Sequence, residues 1–174
     1  VLSYAYGKSG EVVRTTRTMV APTRAEAMTF TTHYQYDSHG RMQHMVYPDG
    51  EKVSYKYDLG GRLQRVVGST TEDGTDNIVY IDRMTYDRYG HCNHRQLGDG
   101  SEETMRYDEN RRLSAMQVKQ GDDLLSDVLY GYDGAGNILS VNDKRGVNHT
   151  YGYDYLDRLV SAQGHYIGGK AGYA

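Results

Sequence analysis

Six aspartates stand at matched places along the chain: Asp37, Asp58, Asp87, Asp108, Asp133 and Asp154, each directly after a tyrosine. Carboxylates in register are one way to build a calcium site, since Ca²⁺ takes six to eight oxygen ligands. Each copy supplies mainly one carboxylate, however, with no dense acidic loop around it. An aspartate at the first position of a type I turn has simpler work, accepting a hydrogen bond from the backbone N–H two residues on. Turn capping is therefore the expected role, and no metal and no cofactor is expected.

Other residues with chemical potential carry less. His91-Cys92-Asn93-His94 is the one cluster of histidine and cysteine, and the other five histidines are dispersed. A metal centre wants three or four converging ligands, and Cys92 occupies a slot that Met42 and Leu63 fill elsewhere, so a small core residue is expected there. Gly7-Lys8-Ser9 resembles part of a phosphate loop, but the glycine needed five residues earlier is Leu2. Asn148-His149-Thr150 has the form of a glycosylation sequon. No nucleophile elbow or paired carboxylates appear, so no catalytic residue is assigned and the chain is not expected to be an enzyme.

The elements that hold the aspartates repeat with them. The pairs Tyr36-Asp37, Tyr57-Asp58, Tyr86-Asp87, Tyr107-Asp108, Tyr132-Asp133 and Tyr153-Asp154 follow a degenerate copy at Tyr6-Gly7, with tyrosines 30, 21, 29, 21, 25 and 21 residues apart. Four residues after each tyrosine comes Gly10, Gly40, Gly61, Gly90, Arg111, Gly136 or Asp157, and six after it an apolar residue or cysteine, from Val12 to Leu159. Glycine at that place can take the left-handed conformation that closes a hairpin through a bulge. Arg111 and Asp157 break the rule, and those two turns are expected to be rebuilt, with Asn110 taking the left-handed role beside Arg111.

Residues two before each pair (Tyr34, Tyr55, Met84, Met105, Tyr130 and Tyr151) share a sheet face with the motif tyrosine, because a strand alternates with period two. Between motifs lie second turns, "YPDG" at 47–50, "EDGT" at 72–75 and "GDGS" at 98–101, and Asp-Gly is a strong hairpin signal. Each repeat thus reads as one hairpin, with strands of roughly seven residues and about a dozen strands in all. The longer intervals place extra residues in loops at 68–77 and 119–123. The expected fold is all-β, repeated antiparallel hairpins forming an extended twisted sheet.

Composition agrees. Eighteen tyrosines stand beside one phenylalanine and no tryptophan, and only 37% of residues are hydrophobic, which suits half-buried rings on a sheet better than a compact enzyme core. A net charge of −3 with dispersed Lys and Arg gives no reason to expect a nucleic-acid partner. No apolar run approaches the roughly 18 residues of a membrane helix. One cysteine excludes an intrachain disulfide. Beginning at Val1 without an initiating Met or a secretory signal, the chain is expected to be a segment of something longer.

The stretches "YQYDSHGRM", "YKYDLGGRL", "YGYDGAGNI" and "YGYDYLDRL" resemble the YD repeats of the RHS family, which includes bacterial Rhs and wall-associated proteins, shell-forming components of Tc insecticidal toxins, and teneurins. The resemblance runs from Tyr4 to about Ala162, with six clear repeats from about 34 to 162 and the degenerate one near 4–12, and 1–174 is expected to form one array. It implies a hairpin sheet that spirals into a hollow shell, secreted or at the cell surface. In bacterial members that shell often encloses a C-terminal toxic domain. The family's closing segment and its self-cleaving aspartate site do not occur before Ala174, so the repeat residues are carried over as scaffold alone.

The expected function is therefore wall, with further repeats of the parent chain and an enclosed toxin domain as partners. The other reading is an extracellular glycan-binding or adhesion module that uses the tyrosine face. A propeller of four-stranded blades ranks below both, since the motif recurs in every hairpin and not once per pair. Open edge strands predict that the isolated segment oligomerises or aggregates.

Overall fold

The computed structural model describes residues 1–20, 26–71, 76–166 and 169–173, the side chains from 165 onward excepted. Among them every regular element is a strand. In chain order these are β1 (Leu2–Tyr6), β2 (Val12–Val20), β3 (Ala27–Tyr36), β4 (Met42–Val46), β5 (Lys52–Tyr57), β6 (Leu63–Ser69), β7 (Ile78–Tyr86) and β8 (Cys92–Leu97). They continue with β9 (Ser101–Tyr107), β10 (Leu113–Gln120), β11 (Asp123–Tyr132), β12 (Ile138–Asp143), β13 (Asn148–Tyr153), β14 (Leu159–Tyr166) and β15 (Gly169–Tyr173). The order in the sheet is the order of the chain, so the protein is all-β and built of successive antiparallel hairpins.

Two compact units divide the chain, Val1–Met84 with Leu97–Asp99, and Thr85–Gln96 with Gly100–Ala174. In the first, β1 to β7 pair one after another. In the second, the pairing runs from β8 to β15. Either run exceeds the four strands of a propeller blade, which removes that alternative.

The core is thin. Val53 at 5% exposure and Val66 at 7% are the buried hydrophobic residues among those described, and both lie on the central strands β5 and β6 of the first unit. Larger side chains, Leu59 and Tyr155 among them, stay exposed. A sheet needs a second layer to bury a face, and none of the described elements supplies one.

Register explains how tyrosine finds apolar company. A one-residue shift in β3–β4 sets Tyr36 opposite Met42 and Tyr34 opposite Met45. The same shift sets Tyr57 and Tyr55 against Leu63 and Val66, and Tyr132 and Tyr130 against Ile138 and Val141. A bulge of this kind lets residues three apart share one face.

One expected loop is strand instead. Lys119, Gln120 and Asp123 belong to β10 and β11, and Gln120 pairs directly with Asp123. Gly121 at φ 57° starts a two-residue turn, which closes the hairpin with no extra loop. The residues added in this repeat lengthen two strands. At the other expected loop, Gly68 and Ser69 end β6, and "EDGT" at 72–75 lies outside the described residues.

Candidate functional site

Each motif folds as a three-residue hairpin loop. In the second copy the N–H of Asp37 donates to the carbonyl of Arg41 at 2.8 Å, and the N–H of Gly40 donates to the carbonyl of Asp37 at 3.0 Å. The same pair of bonds recurs from Asp58, Asp87, Asp108, Asp133 and Asp154. Gly40, Gly61, Gly90 and Gly136 all have positive φ, between 74° and 99°, the left-handed region that glycine enters without steric cost.

Arg111 and Asp157 were expected to sit in rebuilt turns. They sit instead in the same turn, left-handed themselves at φ 63° and 58°, with N–H bonds to Asp108 and Asp154 at 2.9 and 3.0 Å. Each reaches back to the turn before it. The Arg111 guanidinium lies 4.3 Å from the centre of the Tyr89 ring, and the Asp157 carboxylate accepts from Asn137 Nδ2 at 2.8 Å. Those contacts offset part of a backbone cost of about 1–2 kcal/mol.

The aspartate side chain divides its labour between two oxygens. Asp37 Oδ1 accepts the N–H groups of His39 and Arg41 at 2.8 and 3.0 Å. Oδ2 accepts both Nε and Nη2 of Arg41, at 2.8 and 2.7 Å, so that one oxygen takes the guanidinium's charge-assisted bonds. The residue five after the tyrosine therefore has a role that spacing alone did not reveal. Arg62, Arg112 and Arg158 repeat it, His91 does so through Nδ1 at 3.0 Å, and Asn137 through Nδ2 at 2.9 Å. These side chains share a nitrogen able to donate, and that common property was the signal. In the degenerate copy the polarity is inverted: Gly7 holds the aspartate's place, and the Glu11 carboxylate accepts the Ser9 N–H at 3.0 Å.

All six carboxyls are held below the usual carboxylate range. At Asp37, lowered to about 2, and at Asp58 and Asp108, the backbone N–H of Arg41, Arg62 or Arg112 contributes most. At Asp133 and Asp154 the side chains of Asn137 and Arg158 lead. Burial works the other way at Asp87, where it is outweighed by the side chain and backbone of His91.

The tyrosines join one repeat to the next. Tyr36, Tyr57, Tyr107, Tyr132 and Tyr153 donate their hydroxyls to the carbonyls of Val12, Met42, Cys92, Leu113 and Ile138, at 2.7 to 3.1 Å. Every acceptor is the apolar residue that follows the previous motif. The rings cover the previous motif's donor as well: Arg41 lies 4.5 Å from the Tyr57 centroid, Arg112 4.5 Å from that of Tyr132, and His91 stacks on Tyr107 at 4.6 Å. Arg112 also donates to the carbonyl of Asp133 in the next turn at 2.9 Å. Burial raises the phenols of Tyr57, Tyr107 and Tyr132.

The histidine–cysteine cluster is spent on this lattice. His91 serves Asp87, half-buried Cys92 supplies the carbonyl for Tyr107, and His94 faces Glu102 at 3.6 Å. Among the described residues no three His, Cys, Asp or Glu side chains converge on a metal position. No described helix is long and apolar enough to cross a membrane.

The fold has counterparts in solved structures. Over 89% of its length the chain is similar to a chain of the Photorhabdus luminescens Tc holotoxin pore, with a TM-score of 0.74 and 22% identity. Over 92% it is similar to a chain in the crystal structure of TcdB2–TccC3, with a TM-score of 0.76 and 22% identity. It spans 8% and 9% of the lengths of those chains. A porin-like protein from Bacteroides uniformis shares the fold more loosely, with a TM-score of 0.53 and 15% identity over 99% of this chain and 86% of that one. No protein-family model and no curated protein matches the sequence. At these identities the likeness is one of fold.

Proposed function

We propose that the chain is a structural wall segment of an RHS-type YD-repeat shell, in a longer secreted or surface-delivered protein whose shell encloses or presents a toxin domain. The observation that carries this reading is the clamp between successive motifs. Five motif tyrosine hydroxyls end on the backbone of the preceding repeat, and the Asp-bound donors Arg41, His91 and Arg112 each lie against the following tyrosine ring. Such a lattice has no centre and extends by addition of hairpins, which is what a wall requires. The fold likeness to TcdB2–TccC3 supports it, since there the same fold occupies a small fraction of a much longer chain.

Lipid insertion fits poorly. A transmembrane barrel needs one apolar face on every strand, whereas β9 places Glu102, Thr104 and Arg106 on one face and Glu103 on the other. Glycan binding by the motif tyrosines also loses ground, because five of their hydroxyls are committed to backbone carbonyls. An adhesive face would have to use exposed rings such as Tyr155.

Limited proteolysis of the intact protein tests the proposal. An enclosed C-terminal domain resists protease at neutral pH and is cut once acid loosens the wall. Cleavage of that domain at the same rate before and after acid treatment contradicts enclosure.

A further inference from the structure

Two local irregularities meet at one place in the first unit. Val66 and Val67 of β6 are neighbours, yet they pair with Ile81 and Val79 of β7, leaving Tyr80 as the extra residue of a bulge. Bulges re-aim side chains and are over-represented beside functional sites. On β6, Gly68, the register partner of Ile78, interrupts a strand of otherwise substituted residues. A Cβ there would lie 2.7 Å from the Tyr80 ring and would also strike the Glu51 carboxylate. Gly68 and the bulge together let Tyr80 lie across β6, where its hydroxyl donates to Glu51.

The space that results is a cleft of about 400 Å³. Its floor is formed by Val53 and Val66, the two buried hydrophobic residues among those described. Tyr47, Tyr55 and Tyr80 line it, with Asp49 and Glu51 beside them and, among the described residues, no basic side chain in the lining. Backbone bonds close the turn at Tyr47–Glu51: the Tyr47 N–H donates to the Glu51 carbonyl at 2.8 Å and the Gly50 N–H to the Tyr47 carbonyl at 3.0 Å. The carboxylates of Asp49 and Glu51 make the field there negative, and the Tyr80 phenol is pushed up by its bond to Glu51, then by burial and by the charges of Glu51 and Asp49.

We propose that this cleft binds an organic ammonium cation, a quaternary or methylated amine, with its methyl groups against the tyrosine rings and its charge balanced by Glu51 and Asp49. Aromatic rings attract such cations through their negative faces, and an apolar floor suits methyl groups that make no hydrogen bonds. A neutral sugar would hydrogen-bond the two carboxylates without balancing their charge, and an anion would be repelled by them. The cleft belongs to the first unit alone, so the inference stands whether or not the sheet closes into a shell.

Calorimetry and equilibrium dialysis, both indifferent to particle size, test it on the full chain with choline and tetramethylammonium as probes. The expected result is saturable binding at 0.15 M salt. The neutral isostere of choline, 3,3-dimethylbutanol, should bind about ten-fold more weakly or worse. Glu51→Gln and Tyr80→Leu should each weaken choline binding about five-fold or more, while Tyr80→Phe, which keeps the ring, retains most of it. If Tyr80→Leu fails to fold, the isostere comparison and Tyr80→Phe still decide. Absence of saturable binding, equal binding of the neutral isostere, or an unchanged affinity in folded Glu51→Gln overturns the proposal.

Discussion

The hydroxyl of Tyr57 reaches the carbonyl oxygen of Met42 at 2.7 Å, across 15 residues of chain and from one hairpin to the next. The same ring lies over the guanidinium of Arg41, which is bound to Asp37. One side chain therefore reads both the backbone and the charged donor of the repeat before it.

Removing the hydroxyl isolates the backbone half of that contact. Tyr57→Phe should destabilise the fold by about 1 kcal/mol, the net worth of one intramolecular hydrogen bond. Tyr155→Phe, at a ring 90% exposed, should change nothing measurable. Urea denaturation midpoints compare the two, and equal effects would remove the clamp from the account.

The charged half can be measured as a coupling. Arg41→Ala and Tyr57→Leu each remove one side of the cation–ring contact, and the double variant removes both. A cycle across the four proteins should give a coupling of about 0.5–1 kcal/mol. Strict additivity would mean that neighbouring repeats stand independently.

Acid should loosen every motif turn together. An aspartate whose carboxyl is lowered by folding binds fewer protons in the native state than in the unfolded one, so stability rises with pH through that window. The contribution is fully present above the unfolded value near 3.9 and is lost as pH falls toward the folded value, about 2 for Asp37. All six motif aspartates shift in the same direction. The aspartate contribution should therefore hold level from pH 7 to about 5, and melting temperature should fall steeply below about 4. A flat profile down to pH 2.5 contradicts the capping role.

Left-handed residues make opposite predictions at two turns. Gly40→Ala meets nothing within 4 Å, so its cost is backbone strain alone, about 1–2 kcal/mol. Arg111→Gly relieves that strain but gives up the contact with Tyr89, for a net gain of about 0.5 kcal/mol. Denaturant midpoints that move the other way in either variant would remove strain as the reason for glycine there.

Much of this was legible before any coordinates. Tyrosine, aspartate and glycine at fixed offsets specify a hairpin because each has one physical task in a turn, and the all-β array follows. Three things were hidden. The donor five residues after each tyrosine escaped notice because arginine, histidine and asparagine look unlike and share only a nitrogen that can donate. Met45 and Val66 escaped because a bulge breaks the period-two rule by which faces are assigned. Arg111 and Asp157 were read as exceptions because their compensating contacts, Tyr89 and Asn137, belong to the preceding turn and leave no mark in the local motif.

The central claim is that these clamped hairpins are wall. Electron microscopy of the intact protein, purified from its native source, tests it most directly. The account predicts a closed hollow particle with density inside. A solid disc, or an extended arm with its tyrosine face open to solvent, would contradict it.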